Sequence, residues 1–140
     1  MNQYALDKLE FQTILEEVGR YAISQKALDR ILWTTPSSDI NKIRNQLMEV
    51  EEGKRILRKT SSIPIGNMQG LQWIEEKLRE ESSLQIGELS GIAKMQKNAV
   101  RLMRFMGEFS YEAPHVSSKA TSMEALTTLT DEIDHAIDGE

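Results

Sequence analysis

Four basic side chains, Lys94, Lys97, Arg101 and Arg104, recur at steps of three, four and three. On a helix that spacing aligns them as one ridge. A ridge of cations can run along a phosphate backbone, each contact adding about 0.9 to the salt slope of binding. The plainer reading is the solvated face that every amphipathic surface helix carries. A second basic cluster, Lys54, Arg55, Arg58 and Lys59, falls near the end of a helical pattern, where the helix dipole favours positive charge. Lys54 differs from its neighbours because it sits in an apolar seam. It either snorkels past a packing helix or meets a neighbour's carboxylate, and a partner-facing groove edged by Lys54, Arg55 and Arg58 is the sharper alternative. Trp33 and Trp73 are expected to pack in the core, with anchoring of another domain as the alternative.

Other chemistry is hard to assemble. The chain has no cysteine and two histidines, His115 and His135, which removes thiolate chemistry and leaves too few imidazoles for a histidine metal cage. Neither histidine has a Ser, Cys or second His at catalytic spacing, and both are expected at the surface. Glu75-Glu76 and Glu80-Glu81 look like paired carboxylates, yet adjacent helical residues point about 100° apart and cannot bracket one bond. No Gly-x-x-x-x-Gly-Lys-Ser/Thr run exists to cradle phosphates. No catalytic, cofactor-binding or metal-binding residue is therefore assigned.

The elements that carry these residues read as helices throughout. Phe11, Ile14, Leu15, Val18 and Ala22 share one face, continued by Ala27, Leu28, Ile31 and Leu32 after Ser24, a candidate N-cap. This is one bent helix or two short ones, ended by Trp33 to Pro36, with Ser37, Ser38 or Asp39 capping the next helix. Ile40, Ile43, Leu47, Val50, Lys54 and Leu57 form a seam of alternating threes and fours that should pack lengthwise on another helix. A turn at Pro64, Gly66 and Gly70 leads to a shorter helix from about Leu71 to Glu80. A long helix from Ile86 to Met106 comes after it, with Ile92, Met95, Ala99, Leu102 and Met106 facing the core and Met95, Met103 and Met106 as filler. Residues 107–118 read as a loop. Thr121-Ser122-Met123-Glu124 reads as a capping box for a last helix that pauses near Thr127 to Thr130 and resumes to Ile137. The expected class is all-α, a bundle of about five or six helices, two of them long and near-antiparallel.

A co-linear series of residues carries a resemblance. Leu9-Glu10-Phe11 with Ile14, then Pro36-Ser-Ser-Asp-Ile40, Ile43, Glu52, Leu57-Arg58, Pro64, Leu84 with Glu88-Leu89, and Ile137-Asp138-Gly139-Glu140 succeed one another at the spacing of the MutS family. The chain resembles in particular the bacterial type-two branch, which lacks the mismatch-reading domains. It departs at Ala27-Leu28, where the family has Gly-Lys, and at Glu81-Ser82, where the family has paired glycines. The resemblance implies a non-catalytic helical core, the lever, joining a DNA-embracing clamp to a dimeric P-loop ATPase. Clamp, ATPase and nuclease-type modules would then lie beyond Glu140, residues 1–140 being one helical domain at the N-terminal end of a larger protein. ATP and Mg would belong to that parent. The implied partners are the remainder of the chain, DNA through the parent, and a homodimer formed through the parent. The acidic last ten residues fit an exposed end.

Composition sets the bounds. A chain of 140 residues makes one domain, and 39% apolar with 28% charged residues is ordinary for a globular one. A net charge of −5 argues against binding nucleic acid over the whole surface and leaves only local patches. Met1 to Lys8 carries no export signal, and no apolar run nears membrane-spanning length, so a cytoplasmic location is expected, beside the nucleoid if the parent binds DNA. Two further readings stand beside the lever. One is an independent helical module binding another protein's helix through the Lys54 seam or an exposed Trp. The other is a small helical enzyme of the chorismate-mutase kind, holding a dicarboxylate between Arg and Lys.

Overall fold

The computed structural model describes residues 8–66 and 71–138. Among these the chain is helical and carries no strand, as the period predicts. Among the described residues seven helices have set bounds, in order: α1 (Phe11–Gly19), α2 (Gln25–Leu32), α3 (Ile40–Thr60), α4 (Leu71–Arg79), α5 (Ile86–Gly107), α6 (Pro114–Thr121) and α7 (Thr127–Asp138). The expected turn residue Gly70, the leader reading at Met1 to Asp7 and the terminal Gly139-Glu140 lie outside the described residues.

The caps explain most of the boundaries. Ser24 accepts from the Ala27 amide (3.2 Å) and opens α2. Asp39 accepts from the amides of Asn41 (2.9 Å) and Lys42 (3.2 Å) and opens α3, satisfying donors that the first turn leaves without partners. Glu88 reaches back to the Gln85 amide (2.7 Å) at the start of α5 and ties in α4 through Lys77 (2.6 Å). The Gln85 amide and the Lys77 ammonium, against some burial, hold its carboxyl below the ordinary glutamate value. Glu88 thus has a structural reason for its place in the Leu84-to-Leu89 motif.

α5 is the hub, with α4, α6 and α7 packed against it, while α1 and α2 pack on each other and α3 packs on α6. The main core joins Ile56 of α3, Met106 of α5 and the fully buried Ala113, with Ile63, Leu102, Phe105, Phe109, Val116 and Ala120 around them. Phe105 and Phe109 tilt against each other with ring centroids 5.2 Å apart. The two long helices, α3 and α5, meet in this cluster near their C-terminal ends and do not pack along their lengths. That corrects the lengthwise seam expected of α3. The short α6 packs instead on another flank of α3, through Glu49 and Glu52, and leaves the seam uncovered. After α3 the chain runs back along α5, and Gly66 lies so close that an added Cβ would stand 2.8 Å from the Asn98 Cβ.

Residues 107–118, expected as a loop, contain a run of tight turns and then a helix. Pro114 sits at the first helical turn, where its missing N–H has no cost. Thr121, expected to open a capping box, instead closes α6 and donates its hydroxyl to the Ser117 carbonyl (3.0 Å). α7 begins at Thr127 without the expected pause, because Thr130 is buried with its hydroxyl bonded to the Leu126 carbonyl (2.9 Å).

Candidate functional site

α5 places Lys94, Lys97, Arg101 and Arg104 on one exposed face, as their spacing predicts. The four are not equivalent. Lys97 is paired with Asp134 of α7 at 2.6 Å. Lys94, Arg101 and Arg104 meet no carboxylate among the described residues. The ridge therefore offers three uncompensated cations.

The cluster on α3 divides differently. Arg55 donates to the Glu112 carbonyl (3.0 Å) and Lys59 pairs with the Glu112 carboxylate (2.6 Å). Both are thereby engaged in holding α3 to the turn before α6. Lys54 is exposed and pairs with Glu51 one turn back on its own helix (2.6 Å), and that bond and charge hold the Glu51 carboxyl below its ordinary value. Arg58 and Arg44 pair with no carboxylate among the described residues. Beside them Ile40, Leu47, Val50 and Leu57 are all exposed, Leu47 at 60%.

Trp33 and Trp73, expected in the core, stand 84% and 69% exposed. Trp33 forms the C-cap of α2 and projects outward where the chain leaves the hairpin. On α4 the inward position belongs to the buried Ile74, and Trp73 lies one position round the helix. Both are available as anchors. Of the three expected filler methionines, Met106 is buried and Met95 and Met103 are half-buried.

The feature that sequence reasoning missed is a buried carboxylate. Glu52 of α3 is 3% exposed. One oxygen bonds His115 Nδ1 at 2.7 Å and the other accepts from the Val116 amide at 2.9 Å, so a side chain of α3 caps the N-terminus of α6. Burial opposes its charge, but the Val116 amide and the His115 ring together outweigh burial and keep the carboxyl below its ordinary value. Around it Lys119 pairs with Glu49 (2.6 Å). The pairs 49 with 119, 52 with 115 and 59 with 112 descend on one helix as they ascend on the other, so α3 and α6 run antiparallel. One sequence signal was present: Glu52 lies one turn before Ile56 on the same face. His115 keeps the surface position expected of it.

A cavity of about 860 Å³ separates the α1–α2 hairpin from α4, α5 and α7. Its wall is largely aliphatic, including Ile23, Leu28, Leu78, Ile92 and Leu129, and Lys26 is its one basic residue. Lys26 is exposed and paired with Glu75, so the cavity lacks the facing cations that would hold a dicarboxylate. The Lys26 bond and charge, with Arg79 adding to them, lower the Glu75 carboxyl. Among the described residues no three His, Asp or Glu side chains gather as a metal site requires, and no helix is long and apolar enough to cross a membrane.

Comparison with known proteins places these features in a larger frame. No family model and no solved structure matches the chain. Among curated proteins, the endonuclease MutS2 of Bacillus velezensis is 29% identical across 99% of this chain. The putative endonuclease MutS2 of Bacillus subtilis is 28% identical across 99%, and the endonuclease MutS2 of Lactiplantibacillus plantarum 21% across 100%. In each case the chain spans 18% of the relative's length. The likeness read from the Leu9-to-Glu140 motif series thus holds across nearly the whole chain, which is similar to one stretch of the type-two MutS proteins.

Proposed function

We propose that the chain is a non-catalytic helical core segment, a lever, of a MutS-related DNA repair or recombination-control ATPase. It links a DNA-binding clamp to a P-loop ATPase, both outside residues 1–140. The observation that carries this reading is the contrast in coverage, 99% of this chain against 18% of the relative. The surface supports it. Large apolar side chains, among them Trp33, Trp73, Leu47 and Val50, stand exposed, as they would where other parts of a longer chain cover them. On this reading the chain works in the bacterial cytoplasm, ATP and Mg bind the parent, and its partners are the rest of the polypeptide, DNA, and a second parent molecule in a dimer.

Exchanging the matching stretch of the Bacillus subtilis relative for this chain tests the lever. The chimera is expected to keep whatever ATPase response to DNA the parent shows, while the isolated chain hydrolyses no ATP and cuts no DNA. A folded chimera whose ATPase has lost that response, or an isolated chain that turns over ATP, sinks the reading.

The unpaired state of Lys94, Arg101 and Arg104 favours one addition: the lever itself touches the phosphate backbone. Binding to duplex DNA is expected to weaken with salt at a slope of about 2.7 for three contacts. Reversing the three charges should bring the slope close to zero. Fluorescence anisotropy over a salt series measures it, and an unchanged slope in the reversed variant assigns the ridge to solvent.

A further inference from the structure

The seam on α3 has no cover. Ile40, Leu47, Val50 and Leu57 are exposed, Ile43 is half-buried, and together they make a stripe about 27 Å long at 1.5 Å per residue. It is not the flank facing α6. Glu49, Glu52, Ile56 and Thr60 form that flank, about 145° round the helix at 100° per residue. Steps of three and four are those of a helix-to-helix seam, in which alternate side chains enter holes on a facing helix.

Charge selects the occupant. Arg44, Glu51 and Arg58 border the seam on one side, and Lys54 lies within it; Arg44 and Arg58 form no salt bridge among the described residues, and Lys54 pairs with the exposed Glu51, whose carboxyl also feels the Arg58 charge. A second copy packed in parallel would set Lys54 on Lys54. A second copy packed antiparallel with full overlap would bring Glu51 near Arg44 and Asp39 near Arg58, but it would set each Lys54 over the other copy's apolar Ile43. A charge held against apolar surface without a counter-charge is costly. We infer that this seam docks an acidic amphipathic helix from outside residues 1–140, with an apolar heptad stripe, a carboxylate facing Lys54 and carboxylates beside Arg44 and Arg58. The inference needs only the geometry of α3 and stands apart from the lever reading.

Two synthetic three-heptad helices with the same Leu/Ile stripe serve as probes, one with glutamates at the flanking positions and opposite Lys54, the other with lysines there. Anisotropy titration of the full 140-residue chain is expected to show the acidic probe binding at least about tenfold tighter than the basic one, as complementary flanks select partners. Joint Arg44→Glu, Lys54→Glu and Arg58→Glu substitution should reverse the preference. Leu47→Asp should abolish binding of both probes while leaving the fold intact, because Leu47 lies outside the core cluster. Equal affinity for the two probes, or no binding of either, overturns the inference. So does sedimentation showing the chain to be a dimer that Leu47→Asp dissociates, since the seam would then be taken by a second copy.

Discussion

Ile56→Ala is expected to lower the free energy of unfolding by about 4 kcal/mol, near the upper end for a fully buried aliphatic side chain. Ile56 is 1% exposed and lies where α3, α5 and the turn before α6 converge. The size of the effect comes from how those walls are held. Met106 and Ala113 belong to separately anchored backbone, with the Ser117 hydroxyl fixed to the Met106 carbonyl at 2.6 Å, so the space left by the side chain cannot collapse. Leu57 is the control one residue on. It is 47% exposed, and Leu57→Ala should cost about 1 kcal/mol or less, in proportion to the apolar area it covers. Urea titration of both variants measures the contrast. Equal losses would mean that the seam is covered in solution.

Glu52→Ala comes next, with an expected loss of about 3 kcal/mol. Removing the buried carboxylate strips the Val116 amide of its acceptor and releases the His115 ring, which reaches water. Glu52→Gln keeps one oxygen to accept from Val116 and should lose roughly half as much, since the remaining bond is uncharged. The pH dependence has a definite sign. With the folded-state carboxyl depressed, the folded chain holds the Glu52 proton less tightly than the unfolded chain does. The contribution of Glu52 is therefore fully present above the ordinary glutamate value of about 4.5 and is lost as pH falls through the lower folded value. The difference in thermal midpoint between wild type and Glu52→Ala should be constant through neutral pH and shrink in acid below that point. A difference that widened on acidification would refute the assignment.

Helix starts were legible because they are local chemistry. Ser24 stands alone as a candidate cap and Asp39 is one of three with Ser37 and Ser38, and both perform that role. Helix extents at 71–79 and 86–107 come from a period that runs over several turns. Two things could not be read. Pro114 looks like a breaker in any linear reading, and only the backbone before it shows whether it ends a helix or begins one. The 3.6 period of α3 identifies an apolar face but says nothing of what covers it, so a seam that looked buried proved open. The site divided in the same way. The ridge on α5 was visible as spacing, whereas the pairing of Lys97 with Asp134 joins residues far apart in the chain and had no local signal. Glu52 entered the motif series as a matched letter, and its role as the cap of another helix depends on a contact that only the fold creates.

That contact also orders events in time. An eight-residue helix cannot persist alone in water, because nucleating it costs more than two turns of hydrogen bonds return. The residue that steadies α6 lies 64 positions upstream, and closing a loop of that length costs roughly 4 kcal/mol in chain entropy, more than the amide bond itself supplies. α6 also packs on α5, with Ser117 bonded to Met106 eleven positions back, so what waits on α3 is the seating of its N-terminal amide at Val116, which should open again whenever α3 leaves. That amide is then a built-in gauge of whether α3 is seated, readable by hydrogen exchange at Val116 without any label on α3.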